Sequence, residues 1–245
     1  MVEQAVGVER GFRWRGLEVT RIEGFSDAVF AFAVTLLVIS LEVPDTFGEL
    51  LEKMHGFVAF AISFTLLFVV WYDHYTFFRR YGLKDAATAW LNAALMFVVL
   101  FYVYPLKFLF SLLVKLVTRS SLTVHLPGGE VANIIEGTQV PTLMIIFGAG
   151  MIAVSFIFAA LYFRAYRMRR KLDLNAIEVI DTQASIQTHL IYMMIAILSI
   201  AIAIVGGPRC AGLAGWSYWL VGPAQAVNGI LMGRRKEKVA RQAGD

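Results

Sequence analysis

Residues 21–44 read RIEGFSDAVFAFAVTLLVISLEVP, and this stretch decides the fold class. From Gly24 to Val43 it is apolar apart from Ser26, Asp27, Thr35, Ser40 and Glu42. About twenty such residues, wound as a helix, cross the roughly 30 Å of hydrocarbon in a bilayer. Five more blocks of that kind follow, near Met54–Phe78, Asp85–Val117, Gln139–Phe163, Ala184–Val205 and Ala211–Met232. Hydrophobic residues make up 58% of the 245 and charged ones 16%, more apolar surface than a soluble domain of this size can hide. Only helices and closed barrels satisfy their backbones in lipid, and none of the blocks alternates as a barrel strand does. The expectation is an all-α integral membrane protein with six transmembrane helices.

Charge sets the orientation. With the amino terminus inside, the cytoplasmic segments hold Arg10, Arg13, Arg15 and Arg21, then Arg79, Arg80 and Lys84. Further on they hold Arg164, Arg167, Arg169, Arg170 and Lys171, and finally Arg234, Arg235, Lys236, Lys238 and Arg241. The opposite side keeps only Lys53, Lys107, Lys115, Arg119 and Arg209 of the 22 Lys and Arg. The positive-inside rule therefore predicts both termini in the cytoplasm. The division that follows is a cytoplasmic amino-terminal segment 1–20, a six-helix domain 21–232 and a basic tail 233–245. The basic runs read as topology signals, so nucleic acid is not an expected partner, whereas membrane lipid is. The first sixteen residues have no signal-peptide layout, which makes the first helix a retained span. The lone Cys210 excludes a disulfide within the chain. Pro105 lies inside the long third block and predicts a kink, with Lys107 and Lys115 beyond it near the outer interface.

Catalytic signatures are missing: there is no GxSxG, HExxH, Walker loop or paired CxxC, and the chain does not read as an enzyme. His55, His74, His125 and His189 fall on different segments, and no structural metal or cofactor is expected. The glycines at 148, 150, 206 and 207 read as close helix packing and a turn. A TVGYG filter is also absent, so any ion selectivity must be built differently.

The first helix carries what remains. Ala28, Phe32, Thr35, Ile39 and Glu42 recur at spacings of four, three, four and three, forming one stripe bordered by Leu36. Several copies around an axis would turn that stripe into rings. Phe32 and Ile39 would be hydrophobic constrictions, Thr35 a ring of oxygen ligands and Glu42 an outer ring that concentrates cations. Read as ordinary packing, Thr35 would instead bond back to its own turn. Asp27, at the inner end of the span, needs a polar partner or an interfacial position.

An Arg, three residues and then Phe-Ser-Asp at the head of the first of six helices resembles the signature of the transmembrane protein 175 family of potassium channels. Here it is carried by Arg21, Phe25, Ser26 and Asp27. Trp71 and His74 resemble the family's Trp-x-x-His on the second helix, and Asn92, with a following aromatic and proline, continues the pattern on the third. The resemblance implies a prokaryotic single-unit member, a homotetramer in the cell membrane, whose first helices line a central potassium-selective pore. It implies Thr35 as the threonine layer passed by a permeating potassium ion, with Phe32 and Ile39 as apolar layers on either side. It also implies that Arg21, Ser26 and Asp27 pair with Trp71, His74 and Asn92 and fix the rotation of the pore helix. The chain departs from the family's usual pattern in two places: Phe32 replaces an isoleucine or leucine, and Asp73 and Tyr75 flank His74 where a second histidine and an asparagine are common. An ion- or proton-coupled transporter using Asp27, Asp73 and His74 and a non-conducting scaffold are the alternatives.

Overall fold

The computed structural model describes residues 8–9, 12–39, 46–48, 50, 54, 56–119, 121–125 and 130–244. Its helices are α1 (Arg21–Ile39), α2 (Phe57–Tyr81), α3 (Ala86–Val117), α4 (Val140–Arg167), α5 (Ala176–Trp216) and α6 (Val221–Gly244). A 3-10 turn, Ser217–Leu220, joins the last two. Two small antiparallel hairpins complete the description: β1 (Val8–Glu9) with β2 (Phe12–Arg13), and β3 (Thr123–His125) with β4 (Val131–Asn133).

The helix ends follow local chemistry. Thr20 and Glu23 form a reciprocal cap on α1: Glu23 accepts from the Thr20 N–H at 3.0 Å, and its own N–H donates to the Thr20 hydroxyl at 3.3 Å. Asp85 caps α3 by accepting from the Thr88 N–H. Asn175 and Glu178 form a capping box on α5. At the end of α2 the chain turns through Gly82, whose φ of 58° suits glycine and whose N–H closes onto the Phe78 carbonyl. Pro105 does not end α3, which continues for 32 residues with the proline inside it.

Among the described residues, four helical stretches are long and apolar enough to cross a membrane by length and composition: α2, α3, α4 and Ala176–Gln242. The last has 67 residues, far more than one crossing needs. It is folded back on itself. Gly207 leaves helical geometry (φ 57°, ψ −150°) and Pro208 follows. Beyond that break the Ser199 hydroxyl donates to the Ala214 carbonyl at 2.9 Å, and the Gln225 amide to the Thr188 carbonyl at 3.0 Å. Lys236 pairs with Asp181. Partners that recede from residue 207 in both directions define two antiparallel legs.

One end of the bundle is stitched by charge. The Glu178 side chain is fully buried and accepts from Arg13 and Arg15, the latter at 2.7 Å. The Arg15 and Gly16 N–H groups both donate to the Arg79 carbonyl at 3.0 Å, tying the segment before α1 to the end of α2. Arg164 pairs with Asp85. Burial opposes ionisation of Asp85, but bonds from Arg164 and Thr88 outweigh it and hold the carboxyl below its usual range. Its contribution to stability is therefore present above the unfolded carboxylate range and is lost as pH falls through the lower folded value. The segments at residues 13–15, 79–80, 164–171 and 236 thus gather at the same end.

The core lies where α1, α2, α3 and α4 meet, around Phe30, Leu37, Phe77, Leu95, Phe158 and Leu161. A second cluster joins the carboxyl-terminal part of α3 to α4 and α5. Two glycines of α4 set that approach: a Cβ on Gly148 would stand 2.7 Å from Ile200, and one on Gly150 would stand 2.0 Å from the Tyr102 ring. Gly150→Ala should displace Tyr102, break its 2.7 Å bond to the Phe147 carbonyl and cost about 1–3 kcal/mol. Thermal unfolding of the purified protein in detergent measures this, and an unchanged midpoint would show that the ring moves aside freely.

Candidate functional site

The first helix has two opposite faces. Glu23, Ser26, Phe30, Ala33 and Leu37, spaced three, four, three and four, are buried. At 100° per residue they lie about 180° from Ala28, Phe32 and Thr35. Those three are exposed, Phe32 at 54%, and Leu36 between the faces is half-buried. The chain therefore covers one side of α1 and leaves the other bare. Ile39 is the last residue of α1 in the structure, but its side chain lies outside the described residues, as does the whole of Glu42.

The buried face is held by polar bonds to two neighbouring helices. Asn92, on α3, donates from its amide nitrogen to the Ser26 hydroxyl at 2.8 Å. Ser26 in turn donates to the Ile22 carbonyl at 2.8 Å. The Asn92 amide oxygen faces His74 Nε2, on α2, at 2.8 Å. An amide oxygen only accepts, so Nε2 carries the proton and all three bonds point the same way, from α2 through α3 to α1. His74 is buried, and its ring packs between Phe30 at 5.8 Å and Phe78 at 4.6 Å between centroids. Beside this chain the Trp71 indole N–H donates to Asp27 at 2.8 Å.

Ser26, Asp27, Trp71, His74 and Asn92 are thus brought together. Arg21 and Phe25 are not: both are exposed at the head of α1, Phe25 at 62%, and neither takes part in these bonds. Trp71 also continues an aromatic ladder along α2 through Phe57, Phe60, Phe64, Phe68 and Tyr75, with neighbouring rings 5.3–6.4 Å apart. The ladder ends on the Arg79 guanidinium, which lies over Tyr75 at 5.5 Å.

On the bare face the Thr35 hydroxyl donates to the Ala31 carbonyl at 2.9 Å. This is the bond back to its own turn that the packing reading expects; it uses the hydroxyl proton and leaves the oxygen lone pairs free. Among the described residues no group of three His, Cys, Asp or Glu is placed to hold a metal ion. One contact has no counterpart in the motifs: Lys107 of α3 donates to the Leu37 carbonyl at 2.8 Å, near the far end of α1. Its sequence position beyond Pro105 pointed to the outer end of the bundle, but nothing in the pattern named its partner.

Comparison with known proteins follows the same residues. The family model for the endosomal/lysosomal potassium channel TMEM175 matches residues 21–102. A potassium channel from Marivirga tractuosa is 39% identical over 246 residues, which covers 97% of each chain. A potassium channel from Chamaesiphon minutus is 34% identical over 116 residues, 44% of this chain and 57% of that one. Among solved structures, a crystallised variant of the potassium channel MtTMEM175, in complex with a nanobody–MBP fusion, superposes with a TM-score of 0.78 at 40% identity. That match covers 94% of this chain and all of the other.

The two kinds of bond in this site should differ in weight. Asn92→Ala strands a buried His74 N–H and removes the donor to Ser26, and is expected to cost about 1–3 kcal/mol. Trp71→Phe, at a partly exposed bond, should cost about 1 kcal/mol or less. Detergent-denaturant unfolding of the two variants ranks them. Equal costs would mean that the buried chain contributes no more than a surface contact.

Proposed function

Because this chain belongs to the TMEM175 family of potassium channels, we propose that it is a potassium-selective channel, with α1 of each subunit lining a central pore in a homotetramer. The observation that carries this reading is the bare stripe on α1. Ala28, Phe32 and Thr35 face out of the subunit, while the opposite face is buried and bonded to α2 and α3. A channel subunit needs that division, with one face fixed to its own scaffold and the other free to meet its copies and the ion.

In this reading Thr35 supplies a ring of four hydroxyl oxygens that replace part of the potassium ion's hydration shell. Phe32 below and Ile39 above close the pore with apolar rings that exclude water until they move apart. Leu36 borders the lumen, and Glu42 raises the local cation concentration at the outer mouth. Ser26, Asp27, Trp71, His74 and Asn92 hold the rotation of α1, with Arg21 and Phe25 beside them at its inner end. Phe32, bulkier and flatter than the family's usual residue, makes the inner constriction tighter.

The topology proposed is six spans within residues 21–232, with segments 1–20 and 233–245 on the cytoplasmic side of a prokaryotic inner or plasma membrane. Two features support it: the antiparallel legs about Gly207, and the gathering of the basic segments at one end. The relatives are named as channels and not as enzymes, and the chemistry of the site agrees with passive flow of monovalent cations.

Potassium flux through purified protein in liposomes tests the reading. Thr35→Ala should lower the potassium-to-sodium permeability ratio by about tenfold, the loss of roughly 1.4 kcal/mol of discrimination. Ile39→Asn should raise the resting flux by wetting the outer constriction. An intact tetramer that carries no potassium under any gradient would overturn the proposal, and variants indistinguishable from wild type would move the pore away from α1.

A further inference from the structure

Two polar side chains of α3 reach the buried face of α1, one at each end. Near the inner end Asn92 bonds the Ser26 hydroxyl, and near the outer end Lys107 bonds the Leu37 carbonyl, each at 2.8 Å. Ser26 and Leu37 lie on the same face of α1, with buried Phe30 and Ala33 between them. They are eleven residues apart, about 16 Å of helix, whereas Asn92 and Lys107 are fifteen apart, about 22 Å. The lysine stem covers the difference, because helical side chains lean toward the amino terminus and so back toward Leu37.

We infer that Lys107 is a positioning residue for the pore, the outer of two pins by which α3 sets the rotation and spacing of α1 at its selective layer. This rests on the proposed function above. Leu37 is two residues from Thr35 and two from Ile39, and its side chain is buried on the face opposite the bare stripe. A bond at that point restrains both layers without entering the lumen. An ammonium donor suits the place: a cation is favoured toward a helix carboxyl end, and a charge-assisted bond is about twice as strong as a neutral one. Lysine is also strongly hydrated, and among the apolar residues of α3 its head is engaged by the Leu37 carbonyl.

The test is the bi-ionic reversal potential of the full chain in liposomes, with assembly checked by size exclusion. Lys107→Met should assemble as wild type does but lose at least fivefold in potassium-to-sodium permeability ratio. Lys107→Arg, which keeps a charged donor of similar reach, should stay within twofold of wild type. Should Lys107→Met fail to assemble, Lys107→Gln decides, since it keeps polarity but loses charge and reach: a drop in the ratio supports the pin. Unchanged selectivity in an assembled Lys107→Met or Lys107→Gln channel would overturn it. A wild-type tetramer that passes no potassium would instead overturn the channel reading, and the two failures are distinct in the same assay.

Discussion

The amide of Asn92 is the point at which α1, α2 and α3 become one unit, and the remaining contacts of the site depend on it. It donates to Ser26 and accepts from His74, both at 2.8 Å, and all three groups are buried. In water, helices associate largely because apolar faces leave solvent. In lipid that drive is nearly absent, since acyl chains are as apolar as leucine. Close packing and interhelical hydrogen bonds must then specify which faces meet. Apolar contacts such as those of Phe30 and Leu37 tolerate small slips in register, whereas a hydrogen bond does not: a buried donor shifted by an ångström is left unsatisfied and costs about 1–3 kcal/mol. Asn92 therefore supplies geometry more than adhesion.

The consequence for α1 follows from its period. Once Ser26 is fixed to α3, the residues three or four positions on, Phe30, Ala33 and Leu37, must turn inward with it. Ala33, with its small side chain, allows the close approach of the neighbouring helices that Phe30 and Leu37 then fill. Whatever lies half a turn away is left outside, and that is the stripe of Ala28, Phe32 and Thr35. The proposed pore face is thus defined by exclusion, as the side of the helix that its own subunit cannot cover.

Much of this was legible in the sequence because it depends on local period and on charge. Apolar block lengths pointed to an all-helical membrane fold, in which four stretches among the described residues are long and apolar enough to span, and the glycines at 206 and 207 marked the fold-back that Gly207 and its positive φ now occupy. What could not be read was pairing at long separation. Arg13 and Arg15 carried only a topological meaning in the sequence, yet both reach the buried Glu178, more than 160 residues away. No periodicity links such positions. Within the motif, Ser26 and Asp27 are bonded while Arg21 and Phe25 lie exposed, because residues a helical turn apart in a signature need not share a partner. Pro105 lies inside α3, which runs on past it, since a helix in a bundle can absorb the missing backbone bond and continue.

Rotation is the variable on which selectivity by a side-chain ring must depend. Successive residues on a helix point 100° apart, so in the proposed pore a turn of that size would replace Thr35 in the lumen with Leu36 or Val34, a hydroxyl with a hydrocarbon. Much smaller rotations would already swing the Thr35 oxygen off the axis, since its own bond to the Ala31 carbonyl fixes the hydroxyl relative to the backbone. That bond gives the oxygen a set direction with its lone pairs available, but only as firmly as the helix itself is held. In the proposed pore, residues that never meet the ion would therefore share in governing which ion passes. They act from the buried side of α1, where their bonds convert the position of a whole helix into the position of one oxygen atom.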